Sequence, residues 1–157
     1  MKAEYLRFWD SELSPDPGAQ QILIDGNPRY VAFLRLAKDI AFPPGERALT
    51  SGNVITIPQD CDPEWYDIVE EHEKQHVVQN YDIDNFPEKY ARHAAKFEME
   101  AVARSIIRCR LWDRDPRFLH ALRDDLVKRF KVNPARANEF VASVVETREY
   151  PGVTGPR

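Results

Sequence analysis

The sequence predicts an α+β fold, mostly helical with one small sheet, and three observations carry that prediction. Asp62-Pro63, Asp115-Pro116 and Asn133-Pro134 each place a side-chain acceptor directly before a proline, the pairing that opens a helix, and apolar residues at helical spacing follow each of them. Two short runs, Gln21-Ile22-Leu23-Ile24 and Val54-Ile55-Thr56-Ile57, are instead apolar or β-branched and end in turn-forming or breaking residues, which reads as strands. Finally, 157 residues of 43% hydrophobic and 11% aromatic content are enough for a buried core. One domain over 1–149 is expected, with a flexible tail over 150–157 where periodicity ends.

In chain order, residues 3–13 mix Tyr5, Leu6, Phe8, Trp9 and Leu13 with charges, which predicts a short amphipathic helix closed by Ser14-Pro15-Asp16-Pro17-Gly18. The strand at 21–24 runs into an Asp25-Gly26 turn. Asn27-Pro28 repeats the capping pair, so a helix is expected through Val31, Leu34 and Ala37, stopping before Pro43-Pro44-Gly45. The strand at 53–57 ends in Pro58, a residue that suits strand ends and sheet edges, and it is expected as an edge strand flanking a helix at 63–80. Pro87 opens the next helix, to about Leu111. The last two, 116–130 and 134–147, turn Leu119, Leu122, Leu126 and Phe130, then Ala137, Phe140, Val141, Val144 and Val145, inward.

A net charge of −4 gives no electrostatic case for a nucleic-acid partner. The basic residues within 104–117 and 128–136 are interleaved with acidic ones and read as solvated helix faces. Met1-Lys2-Ala3-Glu4-Tyr5 lacks the apolar core of a signal peptide and no run reaches membrane-spanning length, so a cytoplasmic protein without a membrane partner is expected. Cys61 and Cys109 fit no CxxC pattern and are expected as free thiols rather than zinc ligands.

The chemistry concentrates in His72-Glu73-x-x-His76, which holds two of the four histidines of the chain. Positions i and i+4 lie one above the other on a helix, so both imidazoles can hold one ion. Glu73, next to the first histidine, is placed to take a proton from a water there, as a general base. The inward stripe Trp65, Ile68/Val69, His72, His76, Gln79 passes from apolar residues to histidines without changing face. A catalytic metal site needs a third protein ligand. On the following helix Glu98 is the one charge in the stripe 91, 95, 98, 102, 106, 109, and a lone buried carboxylate is costly unless paired or metal-bound. Glu100, aligned with His93, Lys96, Ala103, Arg104 and Ile107 on a wetter face, is the alternative ligand. Glu98 paired to Arg92 or Arg104 is the structural alternative. Two imidazoles and a carboxylate suit Zn2+ first, and manganese, iron and nickel accept the same residue types.

His72-Glu73-x-x-His76, the downstream Phe97-Glu98-Met99-Glu100-Ala101 and the upstream Gly52-Asn53-Val54-Ile55-Thr56-Ile57-Pro58 together resemble a small zincin metallopeptidase of the gluzincin type. In larger relatives the second helix reads Phe-Glu-x-x-Ala-Asp and its first glutamate binds the metal, which by resemblance points to Glu98. Gln79, three residues after His76, is similar to the glutamine found at that place in small bacterial and phage metallopeptidases. The resemblance covers roughly residues 48–106. It implies a zincin-like domain that hydrolyses peptide bonds in a protein or peptide substrate, with zinc on His72, His76 and Glu98 and with Glu73 as general base. Glu100, Tyr90 and His93 stand as possible orienting or transition-state groups. A peptide would extend the edge of strand 53–57, so that proline at Ile55 would raise KM. Charged Glu70, Glu71 and Lys74 depart from the usual zincin helix, and Val102 stands where larger gluzincins carry an aspartate that orients a histidine. No glycine and third histidine follow His76, which sets the three-histidine type aside. The competing expectation is a zincin-fold protein that binds or regulates without catalysis.

Overall fold

The computed structural model describes residues 18–38, 47–82 and 86–155. The helix expected at 3–13, and the stop expected before Pro43, lie outside them. Among the described residues four strands and four α-helices follow in the order β1 (Gln20–Leu23), β2 (Val31–Ala37), β3 (Leu49–Ser51), β4 (Val54–Pro58), α1 (Pro63–Asp82), α2 (Phe86–Arg108), α3 (Arg117–Phe130) and α4 (Pro134–Thr147). The expected α+β class therefore holds, with a small mixed sheet. The chain divides into two compact units, one through Lys89 and one from Tyr90.

In the first unit the sheet order is β1-β2-β4-β3. β1 pairs antiparallel with β2, β2 parallel with β4, and β4 antiparallel with β3. Helix α1 packs on β4 and β3. Ile24, Ala32, Ile55 and Ile57 of the sheet side meet Val69, Val77 and Tyr81 of α1 in one apolar core. Removing this surface from water is the main favourable term in holding helix to sheet.

Two expectations are corrected here. Val31–Ala37 is a strand, not a helix. Asn27 does act as the capping pair predicts, its Oδ1 accepting from the Arg29 N–H at 3.0 Å, but what it closes is a turn. An Asx acceptor and a proline set a local turn without committing the following residues to a helix. Across Val31-Ala32-Phe33-Leu34 the apolar side chains are contiguous, and Ala32 and Leu34 face the core on a period of two, which extended backbone satisfies. The second correction concerns the strand at 53–57. It is interior, with Leu34 and Thr50 both registered against Ile55, and β3 takes the outer place instead. Pro58 is tolerated because it is the last residue of its strand. Proline at the fully buried Ile55 is thus expected to damage the fold rather than KM. Ile55→Pro should cost more than ~3 kcal/mol, read as loss of the cooperative thermal transition.

In the second unit α2 is non-helical at His93, where φ is −129° and ψ 30°. From Phe97 to Ile107 it is buried nearly all round, including Ala103, Arg104 and Ile107. The predicted division into a dry and a wet face therefore fails at those residues, and Arg104, only 1% exposed, is no part of a solvated basic face. Small residues stand at 101, 103 and 105 within this stretch, which is buried nearly all round as an interior helix segment is. Asn133 caps α4 as predicted, accepting from the Ala135 N–H at 2.9 Å ahead of Pro134. Phe118, Leu122 and Leu126 of α3 and Ala137, Phe140 and Val144 of α4 are buried, with Leu119, Phe130, Val141 and Val145 half-buried. Residues 150–155 make a turn closed by a Tyr150–Val153 bridge, and the Gly155 carbonyl accepts from Arg108 at 2.9 Å. Among the described residues no helix is long and apolar enough to cross a membrane.

Candidate metal centre

Helix α1 begins where Asp62 Oδ1 accepts from the Glu64 N–H at 3.0 Å, so that Pro63 occupies a position needing no donor. Two turns on, the helix brings its histidines together as their spacing predicts. His72 Nε2 and His76 Nε2 stand 3.2 Å apart. Glu98 completes a group whose ligand atoms all lie within 4.8 Å of one another, the one such group of three among the described residues. Glu98 is 5% exposed and His76 is likewise buried. These three residues could hold a metal ion.

Three details fit a divalent metal. Nitrogens at ~2.0–2.1 Å from a tetrahedral ion stand about 3.3 Å apart, close to the spacing observed. His76 Nδ1 meets Gln79 Oε1 at 2.8 Å, and an amide oxygen can only accept, so Nδ1 carries the proton of that bond and Nε2, 3.2 Å from His72 Nε2, is the nitrogen placed to take an ion. Two ring nitrogens and a buried carboxylate gathered in one group are donor types that a divalent cation accepts. Finally, the Tyr90 hydroxyl donates to Glu98 Oε1 at 2.6 Å, which satisfies part of the carboxylate and fixes its direction. Tyr90 and Glu98 are eight residues apart, about 12 Å along a straight helix. The break at His93 bends α2 between them, and the Tyr90 and Phe97 rings lie nearly parallel, at 8° and 6.2 Å.

Glu73 is also buried, at 8% exposure. Its Oε2 accepts from the Thr50 hydroxyl of β3 at 2.7 Å. The charged residues around the histidines pair with each other, Lys74 reaching Glu70 at 3.3 Å and Glu71 at 3.6 Å.

Of the residues singled out in the sequence, His72, His76 and Glu98 come together, Gln79 orients His76, and Tyr90 holds Glu98. Glu100 lies elsewhere: a Cβ built on Gly152, whose φ is +84°, would sit 3.0 Å from Glu100 Oε2. Its charge, after burial, is also a cause that pushes the Tyr150 hydroxyl above the usual tyrosine range. His93 is exposed and marks the break in α2. Thr50 had no role in the sequence reading, because nothing in a threonine at position 50 signals a partner 23 residues on. Both cysteines are free thiols.

Gln79→Leu keeps much of the side-chain volume but removes the acceptor for Nδ1. It is expected to weaken binding of a divalent metal about 10–100-fold, measured by competition with a chromophoric chelator.

No protein-family model matches this chain, and neither the characterised proteins nor the solved structures contain a significant match.

Proposed function

We propose that this protein is a zinc-dependent metallopeptidase of the gluzincin type. The observation that carries the reading is the gathering of His72, His76 and buried Glu98 within 4.8 Å, with Glu73 one residue from the first of them on the same helix. His72, His76 and Glu98 would hold the ion. When bound, zinc supplies Lewis acidity, which brings the ionisation of water toward neutral pH and polarises a carbonyl.

The chain's own residues do the rest. Glu73 accepts a proton from water as the water oxygen bonds to the peptide carbonyl carbon. It then delivers that proton to the amine as the C–N bond breaks, leaving a carboxylic acid and an amine and Glu73 unchanged. Gln79 keeps the His76 proton on Nδ1, and Tyr90 keeps Glu98 from turning away. The outer strand β3 carries Thr50 beside Glu73, so a peptide paired along its edge by main-chain hydrogen bonds would run past the base.

The test is cleavage of a mixture of denatured proteins by the zinc-loaded chain, with new termini identified by mass spectrometry. New termini that vanish with a zinc chelator and return with added zinc are expected. Full zinc occupancy without new termini would overturn the peptidase reading and favour a protein that binds metal without catalysis.

A further inference from the structure

We propose that Thr50 is the positioning residue of Glu73, an inference that rests on the peptidase reading for its catalytic part only. A glutamate reaches its work through three rotatable bonds, and a general base is efficient only when its oxygen is held within reach of the proton it takes. Something must therefore hold the Glu73 carboxylate. Among the described residues, the one side chain that hydrogen-bonds it is Thr50, at 2.7 Å from Oγ1 to Oε2. That length is in the range of hydroxyl bonds to ionised carboxylates. The same hydroxyl lies 3.3 Å from the Glu73 carbonyl oxygen, but it has a single proton, and the shorter contact takes it. Oε2 is thereby engaged, and Oε1 remains for the proton of the reacting water.

The hydroxyl is delivered by a fixed element. Thr50 is registered against Ile55, which has no exposed surface. Two residues on, the Gly52 carbonyl accepts from the buried Asn80 side chain, a second tie between the β3–β4 turn and α1. A site carried on a strand pinned at two places is held more tightly than one on a loop. Serine would supply the same hydroxyl, whereas valine would keep the shape of threonine and lose it.

Two measurements on the full chain test this, and they fail separately. The first is a double-mutant cycle in the metal-free protein, with Thr50→Val, Glu73→Ala and both together, followed by urea unfolding. The unfolding constants are expected to be non-additive by about tenfold, the scale of one hydrogen bond to a charged group. Additivity within twofold would overturn the contact whatever the protein's activity. The second measurement uses zinc-loaded protein and fluorescein-labelled casein. Thr50→Val is expected to lower kcat roughly 10- to 100-fold, with KM and zinc content within twofold of the parent. Thr50→Ser is expected to recover kcat to within about threefold. An unchanged kcat in Thr50→Val, or a loss of zinc together with kcat, would overturn the positioning role. Parent protein that holds zinc and leaves casein intact would overturn the peptidase reading and the catalytic role of Thr50 together, while the metal-free cycle would still decide the contact.

Discussion

Glu73→Gln is expected to lower peptide cleavage by roughly 10²–10⁴-fold while zinc content stays at the parent level. The amide keeps the size of the carboxylate and can still accept from Thr50, so the fold and the 2.7 Å contact have no reason to change. What it loses is the capacity to take a proton from water and pass it to the leaving amine. The selective outcome matters more than its size. A residue that merely supported α1 would lower stability and zinc content along with activity, whereas a general base lowers kcat alone. Steady-state kinetics and elemental analysis on the same preparation separate the two, and a variant that cleaves at the parent rate would remove Glu73 from the mechanism.

The second large effect concerns the ligands. His72→Ala and Glu98→Ala should each weaken zinc binding by more than ~100-fold, beyond the effect of losing a group that only orients a ligand. Glu100→Ala should leave it within about twofold, because Glu100 lies beside Gly152 and is no member of the cluster. The trio of variants therefore chooses between the two carboxylates that the sequence left open. Competition titration against a chelator of known affinity reads all three. If Glu100→Ala releases the metal and Glu98→Ala does not, the assignment of the third ligand is wrong.

How much of this was legible in the sequence depended on how local the signal was. The histidine pair needs only the pitch of a helix, and His72 and His76 face one another as their spacing requires. Glu98 was legible because a charge inside an apolar stripe is costly, although the same reasoning misplaced Arg104, which is buried as well. From Phe97 to Ile107 α2 is buried nearly all round, and a one-stripe pattern cannot describe that. The turn at Asn27 was visible but its consequence was not, since capping chemistry is shared by turns and helices, and the contiguous apolar run Val31–Leu34 suits a helix as well as a strand. Strand order was beyond reach. Which strand is outermost depends on pairings between distant segments, β2 with β4 above all, and Pro58 at the end of β4 mimics an edge signal. Thr50 was hidden for the same reason, as its partner is set by where β3 falls along α1.

The most direct measurement of the central claim is X-ray absorption at the zinc edge of protein purified with added zinc. One zinc per chain is expected, in a shell of nitrogen and oxygen at ~2.0–2.1 Å with the outer-shell signature of two imidazoles. His76→Ala should remove one of those imidazoles or the metal itself. A shell containing sulfur near ~2.3 Å would place the metal on the cysteines. A protein that holds no zinc would contradict the zinc centre at His72, His76 and Glu98.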